Sequence, residues 1–181
     1  MNRKTLLFII AVVASAALSA HAQNLVTNPG FETGDFTGWT NNSGGNFVNS
    51  GNAYDGTYSA WMGAVGSDGD FNQSIATTTG QVYSVSFYLL NQGGTPNDFT
   101  AFFAGVTIFT ITNGNQMPWT LETANITATS TSSLLDFSAR QDPAYWQVDD
   151  VDVHAVPEPG TLGLVALGAL GLVGALRKRL V

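Results

Sequence analysis

The side chains in this chain that could do chemistry form a short list. There is no cysteine, which removes thiol nucleophiles, thiolate zinc sites and disulfides. Of the two histidines, His21 falls in an apolar N-terminal stretch and His154 close to the end of the middle segment. No serine sits in a nucleophile elbow, and His154 has no matched acid and nucleophile. Twelve carboxylates lie between residues 23 and 156, so acid pairs arise by chance and do not mark a glycosidase cleft. The chain is expected not to be an enzyme. The residues with a usable pattern are the acids Glu32, Asp149 and Asp150 and the aromatics Trp61, Tyr88 and Trp119. Exposed indole and phenol rings stack against the C–H faces of sugars, while nearby amides and carboxylates bond the hydroxyls. Trp39, Trp146 and Phe137 read instead as inward-facing core residues. The amide-rich loop from Asn41 to Asn46 is a further source of polar contacts. At Asp149-Asp150 the apolar alternation changes phase: Trp146 and Val148 share one parity, Val151 and Val153 the other. A β-bulge there would reset the phase and re-aim a side chain.

Positioning these residues falls to short apolar or alternating runs separated by turn residues. The runs are 24–28, 46–50, 58–63, 71–77, 82–90, 99–103, 106–111, 119–127, 134–139 and 146–155. Ala104-Gly105 reads as a hairpin turn, and Gly93-Gly94-Thr95-Pro96-Asn97 as a loop. No middle segment sustains a helical period, and the Gly, Asn, Ser and Thr content favours strands and turns. The expected fold is all-β: an antiparallel β-sandwich or jelly roll. The middle segment sets twelve carboxylates against one cation, Arg140, for a formal −11, compared with −7 for the 181-residue chain. A domain so short of cations cannot neutralise a phosphate backbone, which excludes nucleic-acid binding.

The remaining cations mark the two ends. Arg3 and Lys4 precede an apolar run from Leu6 to Leu18, and Ala20-His21-Ala22 offers the small-x-small pattern that signal peptidase cuts. Residues 1–22 are therefore expected to be a signal peptide, cleaved before Gln23. The domain follows over 23–155. Residues 156–181 hold Pro157-Glu158-Pro159, an uncharged apolar stretch, and the basic cluster Arg177-Lys178-Arg179. As a helix, 160–176 would extend about 25 Å, enough to span a thinned bilayer. The basic cluster then stays in the cytoplasm, with the acidic domain outside the inner membrane.

This C-terminal order of Pro-Glu-Pro, Gly-rich apolar helix and terminal basic cluster resembles the PEP-CTERM sorting signal. The resemblance implies a Gram-negative host and recognition by an exosortase. Transient inner-membrane anchoring would leave the domain in the periplasm before delivery to the cell surface or a biofilm matrix. Asn24 to Trp39, reading NLVTNPGFETGDFTGW, resembles the opening of galactose-binding-like jelly rolls, among them the carbohydrate-binding modules of glycoside hydrolases. Phe137 to Arg140 and Tyr145 to Val153 resemble that fold's last strands. The likeness implies adjacent first and last strands sharing a structural calcium. Glu32, Asp149 or Asp150 would supply carboxylates, and carbonyls near Asn28 and Asp55-Gly56 would complete the shell. It also implies polysaccharide binding, with Trp61, Trp119 and Tyr88 as platforms. A purely structural matrix or adhesion protein, or a small glycan hydrolase, are the other readings left open.

Overall fold

The computed structural model describes residues 23–157. The expected signal peptide, the helix over 160–176, Glu158, Pro159 and the basic cluster lie outside the described residues. Asn24–Ala155 forms one compact unit.

Ten strands make up this unit: β1 (Thr40–Asn41), β2 (Asn46–Asn49), β3 (Ser59–Met62), β4 (Gly69–Ala76), β5 (Val82–Asn91), β6 (Asn97–Phe103), β7 (Val106–Thr112), β8 (Met117–Thr127), β9 (Ser132–Gln141) and β10 (Trp146–Ala155). They pair into two five-stranded antiparallel sheets, one in the order β1-β4-β9-β6-β7 and the other β2-β3-β10-β5-β8. The sheets are called here the β9 sheet and the β10 sheet, after their central strands. Strict alternation generates this architecture. In β4, β5, β6 and β9 every second residue is buried, because successive side chains point to opposite faces of a strand.

The inner faces meet in an aromatic core. Phe71, Phe87, Phe99, Phe103, Phe137 and Trp146 are fully buried. Phe137 packs edge-on to Phe87 at 5.0 Å between ring centroids and tilted against Phe71 at 5.3 Å. Each such ring contributes about 1.5–3 kcal/mol on burial, which explains how a chain without cysteine holds together. Trp39 is in this core as expected, its indole N–H donating to the Asn28 carbonyl (3.2 Å).

Two local expectations are met and two are corrected. Ala104-Gly105 is the β6–β7 turn, with both residues at positive φ, 52° and 78°. The β10–β5 register shifts between Asp149 and Asp152, with Asp150 at φ 49°, so the bulge sits where the phase changed. By contrast, 24–28 is not a strand. Asn24 lies beside β10 and bonds it through its side chain, donating Nδ2 to the Val151 carbonyl (2.9 Å) and accepting the Val153 N–H (3.1 Å). Only the Leu25 N–H donates to a β10 carbonyl (Val153, 2.8 Å). The two-residue β1 was not expected, because so short a pairing carries no periodic signal.

Candidate functional site

The outer face of the β10 sheet collects the residues of interest. Register places Phe47, Trp61, Gln147 and Leu90 in one row across β2, β3, β10 and β5. Asp149, Tyr88 and Leu121 form the next row across β10, β5 and β8. All three predicted platforms, Trp61, Tyr88 and Trp119, therefore belong to one face, on three different strands. Two aromatic groups result. Trp61 stacks near Phe47 (5.8 Å, 28°) and meets Tyr145 edge-on (5.3 Å). Tyr88 is stacked under Tyr54 (3.4 Å, 14°), which meets Trp119 at 6.2 Å and 66°.

Tyr54 reaches this face because the loop between β2 and β3 is laid across the sheet and held by two carboxylates. Asp149 is buried. Its Oδ2 accepts the backbone N–H groups of Tyr54 (2.8 Å) and Asp55 (3.3 Å), and its Oδ1 accepts that of Asp150 (2.8 Å). Glu32 Oε1 accepts the N–H groups of Thr57 and Tyr58, both at 2.9 Å. Glu32 arrives here because the opening turn sends its neighbour Phe31 into the core. Gly56 is the position that allows this approach. It has φ 66°, and a Cβ there would sit 2.5 Å from Glu32 Oε1. The loop also carries Asn52, whose Nδ2 donates to Gln147 Oε1 (3.1 Å).

The predicted metal set therefore divides. Glu32, Gly56 and Asp149 come together at this loop, and a Cβ on Gly30 would lie 3.6 Å from both the Asp149 Oδ1 and the Glu32 Cγ. Asp150 is exposed, turned outward by the bulge. The Asn28 carbonyl is committed to the Phe31 N–H and the Trp39 indole, so it is not free for a cation. Among the described residues no group of three or more His, Cys, Asp or Glu side chains could hold a metal ion. Calcium at Glu32 and Asp149 would have to draw its other ligands from backbone carbonyls and water. Burial pushes Asp149 up to about 6, against the pull of its three backbone N–H donors, so a carboxylate is being held in the interior without counter-charge.

Next to the loop lies a cleft of about 380 Å³, lined by Asn52, Leu90, Asn91, Gln92, Gln116, Met117 and Pro118. Asn91 shapes its floor, donating Nδ2 to the carbonyls of Gly114 and Asn115 and accepting the Gln141 Nε2 and the Gly93 N–H. No charged side chain lines the cleft. Arg140, the domain's one Lys or Arg, is held by Asp142 at 2.5 Å. Among the described residues, two buried donors on this face have no acceptor: Gln147 Nε2 and Trp119 Nε1. Amides, apolar walls, rings and unfilled donors suit a neutral, hydroxyl-rich ligand. The Asn41–Asn46 loop adds nothing to it. Asn41 bonds Asn46 and Ser43, and Asn42 bonds Asp70.

Sequence reasoning missed Tyr54, Asn52, Gln147, Phe47 and Tyr145. The one available signal was that Gln147 shares a strand face with Asp149.

Comparison with known proteins bears on the sorting motif and on the fold. Residues 155–179 match the model of the PEP-CTERM protein-sorting motif. No curated protein matches the chain. Among solved structures, the module TmCBM61 in complex with beta-1,4-galactotriose is 21% identical, with a TM-score of 0.59, covering 75% of this chain and 100% of that one. The CBM22-1 xylan-binding domain of Paenibacillus barcinonensis Xyn10C is also 21% identical, with a TM-score of 0.55 and coverage of 76% and 97%. A further CBM 22 xylan-binding domain is 16% identical, with a TM-score of 0.56 and coverage of 73% and 95%. At these identities the likeness is one of fold. The domain is a β-sandwich of the kind found in carbohydrate-binding modules. Its chain ends in a PEP-CTERM sorting motif, which marks it for exosortase-dependent export.

Proposed function

We propose that this is a non-catalytic, exosortase-sorted protein of the cell envelope or extracellular matrix that binds neutral polysaccharide on the outer face of its β10 sheet. The sorting route runs through signal peptidase, transient inner-membrane anchoring with the domain in the periplasm, and exosortase. The observation that supports binding is the convergence of Trp61, Tyr88, Trp119 and the tethered Tyr54 on one face, beside an uncharged amide-lined cleft. Rings from separate strands and a loop fixed by contacts 95 residues apart in sequence are more than a core needs. A structural calcium between Glu32 and Asp149 belongs to the same reading, because it would neutralise the carboxylates that fix the loop.

The test is a pull-down and calorimetric titration of residues 23–155 against soluble galactan, xylan and glucomannan. Binding by the wild type, with at least a tenfold loss on Trp119→Ala or Trp61→Ala and an unchanged fold, is the expected result. Failure to bind any polysaccharide would favour the second reading, a purely structural matrix or adhesion protein. That reading has support from the rings' packing against each other. Release of reducing ends would instead indicate a hydrolase.

A further inference from the structure

Gln147 occupies an unusual position. It is 0% exposed yet lies on the outer face of its sheet, between Trp61 on β3 and Leu90 on β5. What covers it is the loop, and Asn52 in particular, an exposed residue whose Nδ2 donates to Gln147 Oε1 (3.1 Å). That bond fixes the amide's orientation, since its oxygen must face the donor. Nε2 is then turned to a place where nothing accepts its hydrogens. A buried donor without a partner is costly, and proteins retain one where something else supplies the acceptor. The two residues flanking this amide, Asn52 and Leu90, are walls of the 380 Å³ cleft.

We infer that Gln147 is the specificity-determining residue of this face: a sugar that displaces the Asn52 side chain frees the amide to turn, its hydroxyl taking over as donor to Oε1 while Nε2 donates to a hydroxyl or ring oxygen. The inference rests on the polysaccharide-binding reading and sharpens it. Asn52 loses little when displaced, because its amide is exposed and water replaces Gln147 as its partner. Gln147 gains the acceptor it lacks. A sugar without an oxygen at that point leaves the donor stranded, and sites built around a buried polar group reject such analogues strongly. A carboxylate-bearing sugar finds no basic side chain to pair with, because among the described residues the one Lys or Arg, Arg140, is held by Asp142. The ligand class is thus a neutral glycan with a free hydroxyl or ring oxygen directed at β10.

Titration calorimetry of wild type, Gln147→Met and Asn52→Ala against β-1,4-galactan, xylan and glucomannan, with melting curves of all three proteins, tests this. Met keeps the volume and removes both the stranded donor and the acceptor. The expected result is at least a tenfold weaker affinity for Gln147→Met, with a melting temperature equal to or above wild type, and a tighter affinity for Asn52→Ala, which lacks the side chain the sugar must displace. A residue serving the fold alone would lose stability with affinity. The inference is overturned if wild type binds and Gln147→Met loses less than tenfold, or if it loses affinity only together with melting temperature. It is also overturned if Asn52→Ala binds no more tightly than wild type. If wild type binds none of the three polymers, the glycan reading itself has failed, a result separable from the others.

Discussion

The two outer faces of the sandwich are built on strands of similar length over one shared core, yet they treat their polar groups in opposite ways. On the β9 sheet most outward polar side chains pair with each other, namely Ser74 with Ser132 (2.8 Å), Thr100 with Thr110 (3.0 Å), and Asn42 and Asn72 with Asp70 (2.6 and 3.1 Å), while Asp136 Oδ1 is left unpaired. On the β10 sheet one part of the outer face is aromatic, a loop crosses it, and among the described residues two donors there, Gln147 Nε2 and Trp119 Nε1, go unpaired. A face whose polar groups are mostly paired with each other offers a ligand little beyond what water already gives it. A face with rings and open donors gains by being covered. The difference lies in the outward half of each alternation, the half the fold leaves free to vary.

The comparison can be broken at several points. The largest effect is expected from calcium. If the ion fills the Glu32–Asp149 site at about a hundred times its dissociation constant, it stabilises by about 2.7 kcal/mol. A chelator should then lower the melting temperature by roughly 10 °C. An unchanged melting curve would remove the metal from the account. Next comes Asp149→Ala, which strands the three backbone N–H groups of Tyr54, Asp55 and Asp150. It should cost about 2–3 kcal/mol in denaturant melts and abolish the chelator effect.

The β9 sheet provides the contrasting acid. Asp136 lies on its outer face, and burial, helped by the charge of Asp70 and opposed by a hydrogen bond from Asn72, pushes its carboxyl up to about 6. The folded state therefore binds this proton more tightly than the unfolded chain. The stability tied to it is complete below about pH 4 and lost as pH rises through about 6. Asp136→Asn should flatten the profile across that window and gain about 1 kcal/mol at pH 7, after allowance for solvent screening. It should leave glycan binding unchanged. Smallest of all, Ser74→Ala on the same face should shift stability by less than about 0.5 kcal/mol.

Much of the fold was legible because it is written in alternation. The bulge at Asp149-Asp150 showed as a change of parity between Val148 and Val151, and the β6–β7 turn as Ala104-Gly105 between two apolar runs. Asn24–Asn28 misled because it runs alongside β10 but bonds it mainly through the Asn24 side chain, which no periodicity reports. The site was half legible. Trp61, Tyr88 and Trp119 stood out by type, and register alone decided that they share a face. Tyr54, Asn52 and the burial of Gln147 depend on the loop's path. That path is set by carboxylate–amide bonds between residues 94 and 95 positions apart in one case and 25 and 26 in the other. A pattern read over ten residues has no access to such pairings.

Strand β10 has a mechanical consequence. It begins at Trp146, beside Gln147, and ends at Ala155, where the sorting motif starts. Eight residues of extended chain separate Gln147 from Ala155, about 26 Å at the usual rise. On the proposed reading, a load entering at Gln147 and resisted at the C-terminus would run along the covalent backbone of that one strand, leaving its hydrogen bonds to β5 and β3 unloaded. A cut beyond Ala155 would leave strand β10 whole, so on the proposed reading removal of the sorting motif and binding on the face are separable events.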